Sequence, residues 1–274
     1  MYDIEISDLR KLIQLVKDKY DYDFKDYAMS SFKRRIKRII ELYKFDSVDA
    51  LVEKLTHTPS FFEEFVSEVT VNVTEMFRDP SFWVVVRDEI IPNILSSHNK
   101  ISIWHAGCSS GEEVFSMQIL LEEMGIRDKS HTVATDIDTA IINRAKNASI
   151  SQKNMELNTS NYERYQGKYV LDKYFSKNKD RYHFNQDILS NVSFRKHDLV
   201  KGQVFSKFDI VLCRNVMIYF NQTLQNSVLK TLHESLFKYG FLCIGSKESL
   251  IWCDISNKFS VINNEEKIYK KSRD

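Results

Sequence analysis

The sequence predicts an α/β protein: a Rossmann-like, mostly parallel sheet with one antiparallel strand, a small N-terminal helical domain and an inserted β-subdomain. Three observations predict it. From residue 101 onward, short apolar runs alternate with amphipathic helical patterns, which is how a doubly wound parallel sheet reads. Before that, residues 5 to about 70 carry helical apolar spacing and no strand signal. Finally, HAGCSSGEEVFSMQ (105–118) sets two of only 7 glycines four apart, directly between an apolar run and a helix.

Bulk properties narrow the function classes. At 274 residues the chain holds one large domain or two modest ones. Lys+Arg 39 against Asp+Glu 38 leaves a net charge of +1, so no global field draws it to nucleic acid or membrane and electrostatic recognition has to be local. Cys108, Cys213, Cys243 and Cys253 form no C-x-x-C pair, and three of them lie in or beside apolar runs. They read as buried free thiols in a reducing compartment, and no metal site is expected. The first residues, MYDIEISDLRKL, have no signal-peptide h-region, and no apolar run reaches membrane-spanning length. A soluble, cytoplasmic, monomeric protein without membrane insertion is expected.

The elements follow in order. Leu9, Leu12, Ile13, Leu15 and Val16 share one face of a first helix with Asp8 near its start. In the second, SFKRRIKRIIELY, an apolar stripe (Phe32, Ile36, Ile39, Ile40, Tyr43) is flanked by Lys33, Arg34, Arg35, Lys37 and Arg38. Asp46-Ser47 caps a short third helix and Ser60 starts a fourth, while Pro80 and Pro92 bracket another, SFWVVVRDEII. ISIWHA (101–106) is the first strand, and VFSMQILLEEMG is a helix stopped by Gly125. HTVATDID (131–138) is a second strand ending on acids, followed by the helix TAIINRAKNA. NVSFRKHD, FDIVLC (208–213) and YGFLCIGS (239–246) are further strands, the last two separated by the helix QTLQNSVLKTLHESLF. KFSVI and EKIYKKS close the chain as a hairpin across NNEE, which requires one strand to run antiparallel.

Residues 147–190 break the alternation and are too long for a strand–helix connection. Their alternation near 180–186 indicates a small antiparallel insert, the alternative being a long loop. The chain is divided accordingly into a helical domain over 1–75 and a sheet domain over 76–274 that carries the insert.

The opening stretch carries the chemistry. A strand, G-C-S-S-G and a helix make the first crossover of a nucleotide-type fold, in which ligands lie outside the carboxyl ends of the strands. Gly107 permits the sharp turn and Gly111 a close backbone approach. The pattern is G-x-x-x-G-E-E rather than G-x-G-x-x-G. A pyrophosphate needs a bare helix N-terminus. Glu112 and Glu113 put negative charge there, which disfavours NAD, FAD and ATP and favours a cationic ligand such as S-adenosylmethionine. Either acid alone also complements a helix dipole. Asp136, at the end of the second strand, can accept from both hydroxyls of a ribose, although an acid there is also a common helix cap.

Four motifs then bring a family into view: TVNVTEMFR (70–78), W-x-A-x-x-S-x-G-E-E-x-x-S (104–116), A-x-D-I-D (134–138) and CRNVMIYF (213–220). In this order they resemble the CheR-type chemotaxis methyltransferases over nearly the whole chain. The resemblance implies a class I methyltransferase sheet and transfer of a methyl group from S-adenosylmethionine to glutamate side chains of bacterial chemoreceptors. S-adenosylhomocysteine would be the product, and the methylation helices of a receptor the partner.

Carried over by motif, Asn72, Thr74 and Arg78 match the linker that closes over the cofactor. Glu113 matches the cofactor-contacting acid and Asp136 the ribose acid, beside the turn glycine Gly107, which is read as cofactor-binding from its place in the crossover. Asp198-Leu199 stands where the family usually has Asn-Leu beside the adenine; an Asp still accepts from an exocyclic amine. Arg214 and Asn215 match the cofactor-contacting pair, and Tyr219 the tyrosine near the transferred methyl. Phe115 replaces a common Tyr and Cys108 a small residue. Arg78 and Tyr219 are the candidate catalytic residues. A glutamate is already ionised at neutral pH, its reference pKa being about 4.3, so no general base is required. The protein instead orients the carboxylate, and Arg78 or Arg214 can hold it as a bidentate pair. Arg34, Arg35 and Arg38 can grip acidic receptor helices, although a charge run is by default a solvated face. The loop within YFSKNKDRYHF is short and lacks the glycine with which some relatives dock a receptor's C-terminal peptide, so no such tether is expected. The neutral charge and the lack of an N-P-P-Y-like motif weigh against nucleic-acid substrates.

Overall fold

The computed structural model describes residues 4–70 and 74–272. Asn72, one of the predicted cofactor residues, lies outside them. Four amphipathic helices come first: α1 (Ile6–Tyr20), α2 (Met29–Tyr43), α3 (Val48–His57) and α4 (Phe61–Val69). Their stripes converge, and Leu9, Leu12, Ile36, Leu51 and Phe65 share one buried cluster. The Ser47 hydroxyl caps α3 by accepting from the Ala50 N–H, at 3.1 Å.

The next helix is not bracketed by its prolines. α5 (Pro80–Val85) continues through a π-helical segment, Val86–Ile90, into α6 (Ile91–Leu95), so Pro92 lies inside the rod. Proline lacks an N–H and its ring crowds the preceding turn. The π turn, in which the Ile91 N–H reaches back to the Val86 carbonyl, widens the helix just ahead of it.

The sheet follows: β1 (Ile101–Ala106), α7 (Glu112–Glu123), β2 (Ser130–Asp136) and α8 (Thr139–Asn147). The insert adds β3 (Ser149–Ser151), α9 (Gln152–Tyr165), β4 (Phe175–Asn178) and β5 (Arg181–Phe184). The sheet resumes with β6 (Val192–Lys196), β7 (Phe208–Cys213), α10 (Gln222–Glu234), β8 (Leu236–Ile244), β9 (Phe259–Asn263) and β10 (Ile268–Lys271). Seven strands pair in the order β6-β2-β1-β7-β8-β10-β9. β10 runs antiparallel to both neighbours; the other pairings are parallel, as the closing hairpin requires.

Both faces are covered. Alternate residues of β1 point to opposite sides: Ile101 and Ile103 join Trp83, Phe115 and Leu120 in one core, and Trp104 and Ala106 join Val211 and Leu229 in the other. Chain order reverses at β1, flanked by β2 and β7, which is the switch point where open α/β sheets bind ligands.

The insert holds more helix than its composition suggests. β3, β5 and β4 form an antiparallel sheet, but the 14-residue α9 is the larger element. Its buried stripe, Met155, Asn158, Asn161, Tyr162 and Tyr165, is built from Asn and Tyr rather than Leu and Ile, so apolar periodicity understates it. Glu123, at the end of α7, accepts from the hydroxyls of Tyr162 and Tyr174 and from the Lys168 N–H, tying the insert to the main sheet.

Candidate active site

Loops leaving the carboxyl ends of β1, β2 and β7 meet beneath α2 around a cleft that all of them line. The first loop turns at Gly107, whose φ is +81°. A Cβ at that position would stand 2.5 Å from Val216 Cγ2 on the β7 loop. Gly107→Ala is therefore expected to lower folding stability by about 1–3 kcal/mol, read as a lower denaturant midpoint at constant slope; an unchanged midpoint would refute the packing argument.

Several backbone conformations that L-residues avoid occur here. Phe77, Asp79, Ser109 and Asn215 all have positive φ, between 49° and 61°, and lie in the loops or linker bordering the cleft. Such residues persist only where the surroundings over-determine them, and they gather at functional sites. The linker shows how. The Phe77 N–H donates to Ser116 Oγ on α7 at 2.8 Å, the Met76 N–H to Asn158 Oδ1 on α9 at 3.0 Å, and Asn161 donates to the Met76 carbonyl at 3.0 Å. The insert thus anchors the strip of chain that carries Arg78.

The second loop presents Asp136 on the cleft wall, 9% exposed. Its Oδ2 accepts from the Ser109 N–H at 2.9 Å and its Oδ1 from the Asp138 N–H at 3.1 Å. Each oxygen keeps a second lone pair for a ligand hydroxyl. Burial pushes its pKa up, against the backbone N–H groups of Asp138, Ser109 and Ile137 that pull it down. Asp138 itself caps α8, accepting from the N–H groups of Ala140 and Ile141.

The third loop brings Arg214, with a side chain only 2% exposed. Its guanidinium meets Asp79 at 2.6 Å and Glu113 at 3.4 Å, and its carbon lies 4.0 Å from the Phe82 ring centroid. Glu113 also accepts from His105 Nδ1 on β1 at 2.8 Å. Burial raises the Glu113 pKa, but the His105 bond and the Arg214 charge outweigh it and hold the carboxyl below its ordinary value. A chain of alternating charge, Asp79–Arg214–Glu113, runs across the floor of the site. Glu112 turns away to Ser110, whose hydroxyl donates to it at 2.6 Å, and burial raises its pKa.

Among the predicted residues, Thr74, Arg78, Gly107, Glu113 and Asp136 line the cleft, as do Asp198, Leu199, Arg214, Asn215 and Tyr219. The basic trio divides. Arg35 borders the cleft, where burial lowers its pKa. Arg34 and Arg38 are exposed and do not line it; Arg38 sits 3.7 Å from Glu68. Helical phase explains the split: Arg35 follows Phe32 by three residues and precedes Ile39 by four, sharing their face. The sequence reading missed Asp79, His105 and Glu248. A histidine inside an apolar strand was the available signal for His105; Asp79 and Glu248 gave none by spacing.

The site fits a cationic, diol-bearing ligand. Acidic side chains close two neighbouring strands, glycine clears the turn, and several buried polar atoms of wall residues, among them Ser109 Oγ, Arg35 Nε and Arg214 Nε, have no hydrogen-bond partner among the described residues. Among those residues there is also no group of three or more His, Cys, Asp or Glu arranged to hold a metal, and no helix long and apolar enough to cross a membrane.

Comparison with known proteins agrees with this geometry. Residues 72–268 match the family described as CheR methyltransferase, SAM binding domain, and residues 7–70 its all-alpha domain. The Pseudomonas putida protein called Cher3 is 39% identical over 270 residues, 98% of this chain and 97% of its own. A chemotaxis protein methyltransferase of Listeria monocytogenes is 30% identical, covering 90% of this chain and 93% of its own. Among solved structures, N-methyltransferase NodS of Bradyrhizobium japonicum covers 71% of this chain and 99% of its own, with 13% identity and a TM-score of 0.39.

Proposed function

This chain belongs to the CheR methyltransferase family and uses S-adenosylmethionine, and from that premise we propose that it methylates glutamate side chains on the methylation helices of bacterial chemoreceptors, acting as a cytoplasmic monomer. The observation that carries the reading is the placement of Arg35 and Tyr219 on one cleft with Asp136 and Glu113. A cation and a hydroxyl suited to a carboxylate thus share a cavity with the acids suited to the cofactor.

S-adenosylmethionine supplies an electrophilic methyl group on a positively charged sulfur. Asp136 would hold the ribose hydroxyls, Glu113 would contribute the negative charge that suits the ligand's cation, and Gly107 keeps the turn open. Asp198 and Leu199 border the same cleft and would flank the adenine, with Thr74, Arg78 and Asn215 contacting the remainder. An incoming glutamate needs no base, being ionised already. Arg35 would take its carboxylate, and the Tyr219 hydroxyl would donate to it and set its angle. Arg214 is committed to Asp79 and Glu113 and serves the pocket wall. We read Arg78 as the second cation available to the carboxylate. Arg34 and Arg38, on the exposed face of α2, would meet acidic side chains on the receptor helix away from the reacting one.

No C-terminal peptide tether enters this reading, because β4 and β5 are joined by Lys179-Asp180 alone, without a glycine loop. Micromolar binding of a receptor C-terminal peptide would overturn that part.

The pH dependence follows from Asp136. Its carboxylate form would accept the ribose hydroxyls, and its pKa is raised by burial. Affinity for S-adenosylhomocysteine is expected to climb as pH rises through that raised value and to level off above it. Glu113, whose pKa is lowered, is already ionised over that window. Calorimetry from acid to neutral pH reads this; a profile flat down to the ordinary Asp value near 3.9 would contradict it.

The test of the function is mass spectrometry of a receptor cytoplasmic fragment after incubation with the protein and methyl-labelled S-adenosylmethionine. One methyl gained on glutamate, lost under mild base as an ester, is the expected result. Stoichiometric cofactor binding with no transfer to any receptor fragment would instead mark a silent relative.

A further inference from the structure

We propose that Glu248, outside every motif that defines the site, is a positioning residue that sets the Arg214–Tyr219 turn for transfer; the inference rests on the methyl-transfer reading above. Glu248 is 6% exposed and lies just beyond β8. Its Oε2 accepts from the N–H groups of Asn215 at 3.0 Å and Gly245 at 2.5 Å, and its Oε1 from the Ile218 N–H at 3.1 Å. One carboxylate thus joins the residue after Arg214, the residue before Tyr219 and the end of the neighbouring strand.

Two further features single out this clamp. Asn215 adopts a φ of +61°, a conformation a non-glycine residue holds only when its surroundings impose it. Gly245 makes room for the contact: a Cβ there would stand 2.7 Å from Asn215 Nδ2, 2.8 Å from Asn215 N and 2.9 Å from Glu248 Oε2. The backbone at 245, the Asn215 turn and the carboxylate form one close-packed unit. The Tyr219 carbonyl, one residue past the clamp, accepts from the Ala28 N–H at 2.9 Å. The clamp therefore also fixes where the tyrosine turn meets the N-terminal helices.

Glutamine is the informative replacement, because it has similar shape but only one acceptor oxygen. The amide oxygen satisfies more donors facing Asn215 and Gly245, which leaves its NH₂ group against the Ile218 N–H. The Asn215 side then survives and the Tyr219 side is released. Glu248→Gln is expected to bind S-adenosylhomocysteine within about threefold of the native protein. Its turnover should fall on the order of a hundredfold, the scale set by small misplacements of reacting groups. Hydrogen exchange at the Ile218 amide should quicken by about tenfold or more, since local opening sets that rate.

Turnover is to be normalised to the fraction that binds S-adenosylhomocysteine, which removes any effect of partial unfolding. Turnover per binding-competent molecule within about twofold of native, or unchanged exchange at Ile218, would overturn the proposal. Should Glu248→Gln fail to bind at all, Glu248→Asp, which keeps two acceptors, is read by the same criteria. The native protein runs in parallel. If it transfers no methyl group, the functional reading fails, while the exchange measurement still decides whether Glu248 holds the turn.

Discussion

Asp136→Ala is expected to weaken S-adenosylhomocysteine binding by roughly a hundredfold, about 2.7 kcal/mol. The carboxylate is buried, lines the cleft and keeps one lone pair on each oxygen after accepting from Ser109 and Asp138. Hydrogen bonds to a charged acceptor contribute about 1.5–3 kcal/mol each, so losing one to two of them from a ribose diol accounts for the figure. The substitution also strips the Ser109 and Asp138 N–H groups of their acceptor. A buried donor left unsatisfied costs about 1–3 kcal/mol, so the melting temperature should fall as well. Asp136→Asn separates the two effects, because its single oxygen can serve only part of the set. Calorimetry and thermal unfolding on both variants read the outcome; an alanine variant that binds within about threefold of native would remove Asp136 from the ligand site.

The second large effect is expected at Arg214. Arg214→Met keeps the bulk over Phe82 but removes the cation shared by Asp79 and Glu113. Breaking a buried ion pair by deleting one partner typically costs about 3–5 kcal/mol, since the other charge is left uncompensated. For a chain of this size that corresponds to a fall of roughly 10 °C in Tm. The sign of the pH dependence is fixed by Glu113. Its lowered folded-state pKa means its contribution is present above the unfolded value and is lost as pH falls through the folded one. The gap between native and variant should therefore be widest near neutrality and shrink toward acid. Arg214→Met combined with Glu113→Gln should recover part of the loss, because an amide does not need the counter-charge. A gap that is constant with pH, or no recovery in the double variant, would show that the network does not carry stability.

Much of this site is visible in the chain, for a definite reason. Strands and helices of an alternating sheet announce themselves by period, and a ligand at the switch point must meet the residues just past certain strands. Gly107, Glu113 and Asp136 follow from that rule plus their chemistry, whereas Arg214 comes from the family resemblance of CRNVMIYF. What period cannot show is which loops touch across the sheet. Asp79 reaches Arg214 across 135 positions of sequence, and Glu248 reaches Asn215 across 33; no local pattern encodes either approach. Helix α9 was obscured by its Asn and Tyr stripe, and with it the anchoring of Met76 by Asn158 and Asn161. Pro92 suggested a helix end because the π turn that accommodates it depends on packing, not composition. Arg35 is the opposite case. Its place on the Phe32–Ile39 face was readable from helical phase, which distinguishes it from Arg34 and Arg38.

The central claim is that acidic side chains past the ends of the neighbouring strands β1 and β2, Glu113 and Asp136, make a pocket selective for a cation bearing a sugar diol and hostile to phosphate. Side-by-side calorimetric titrations with S-adenosylmethionine, S-adenosylhomocysteine, ATP and NAD test it most directly. Saturable one-to-one binding of the first two, with no heat from the nucleotides at the same concentrations, is the predicted result. Saturation by ATP or NAD together with silence from both sulfur compounds would contradict it.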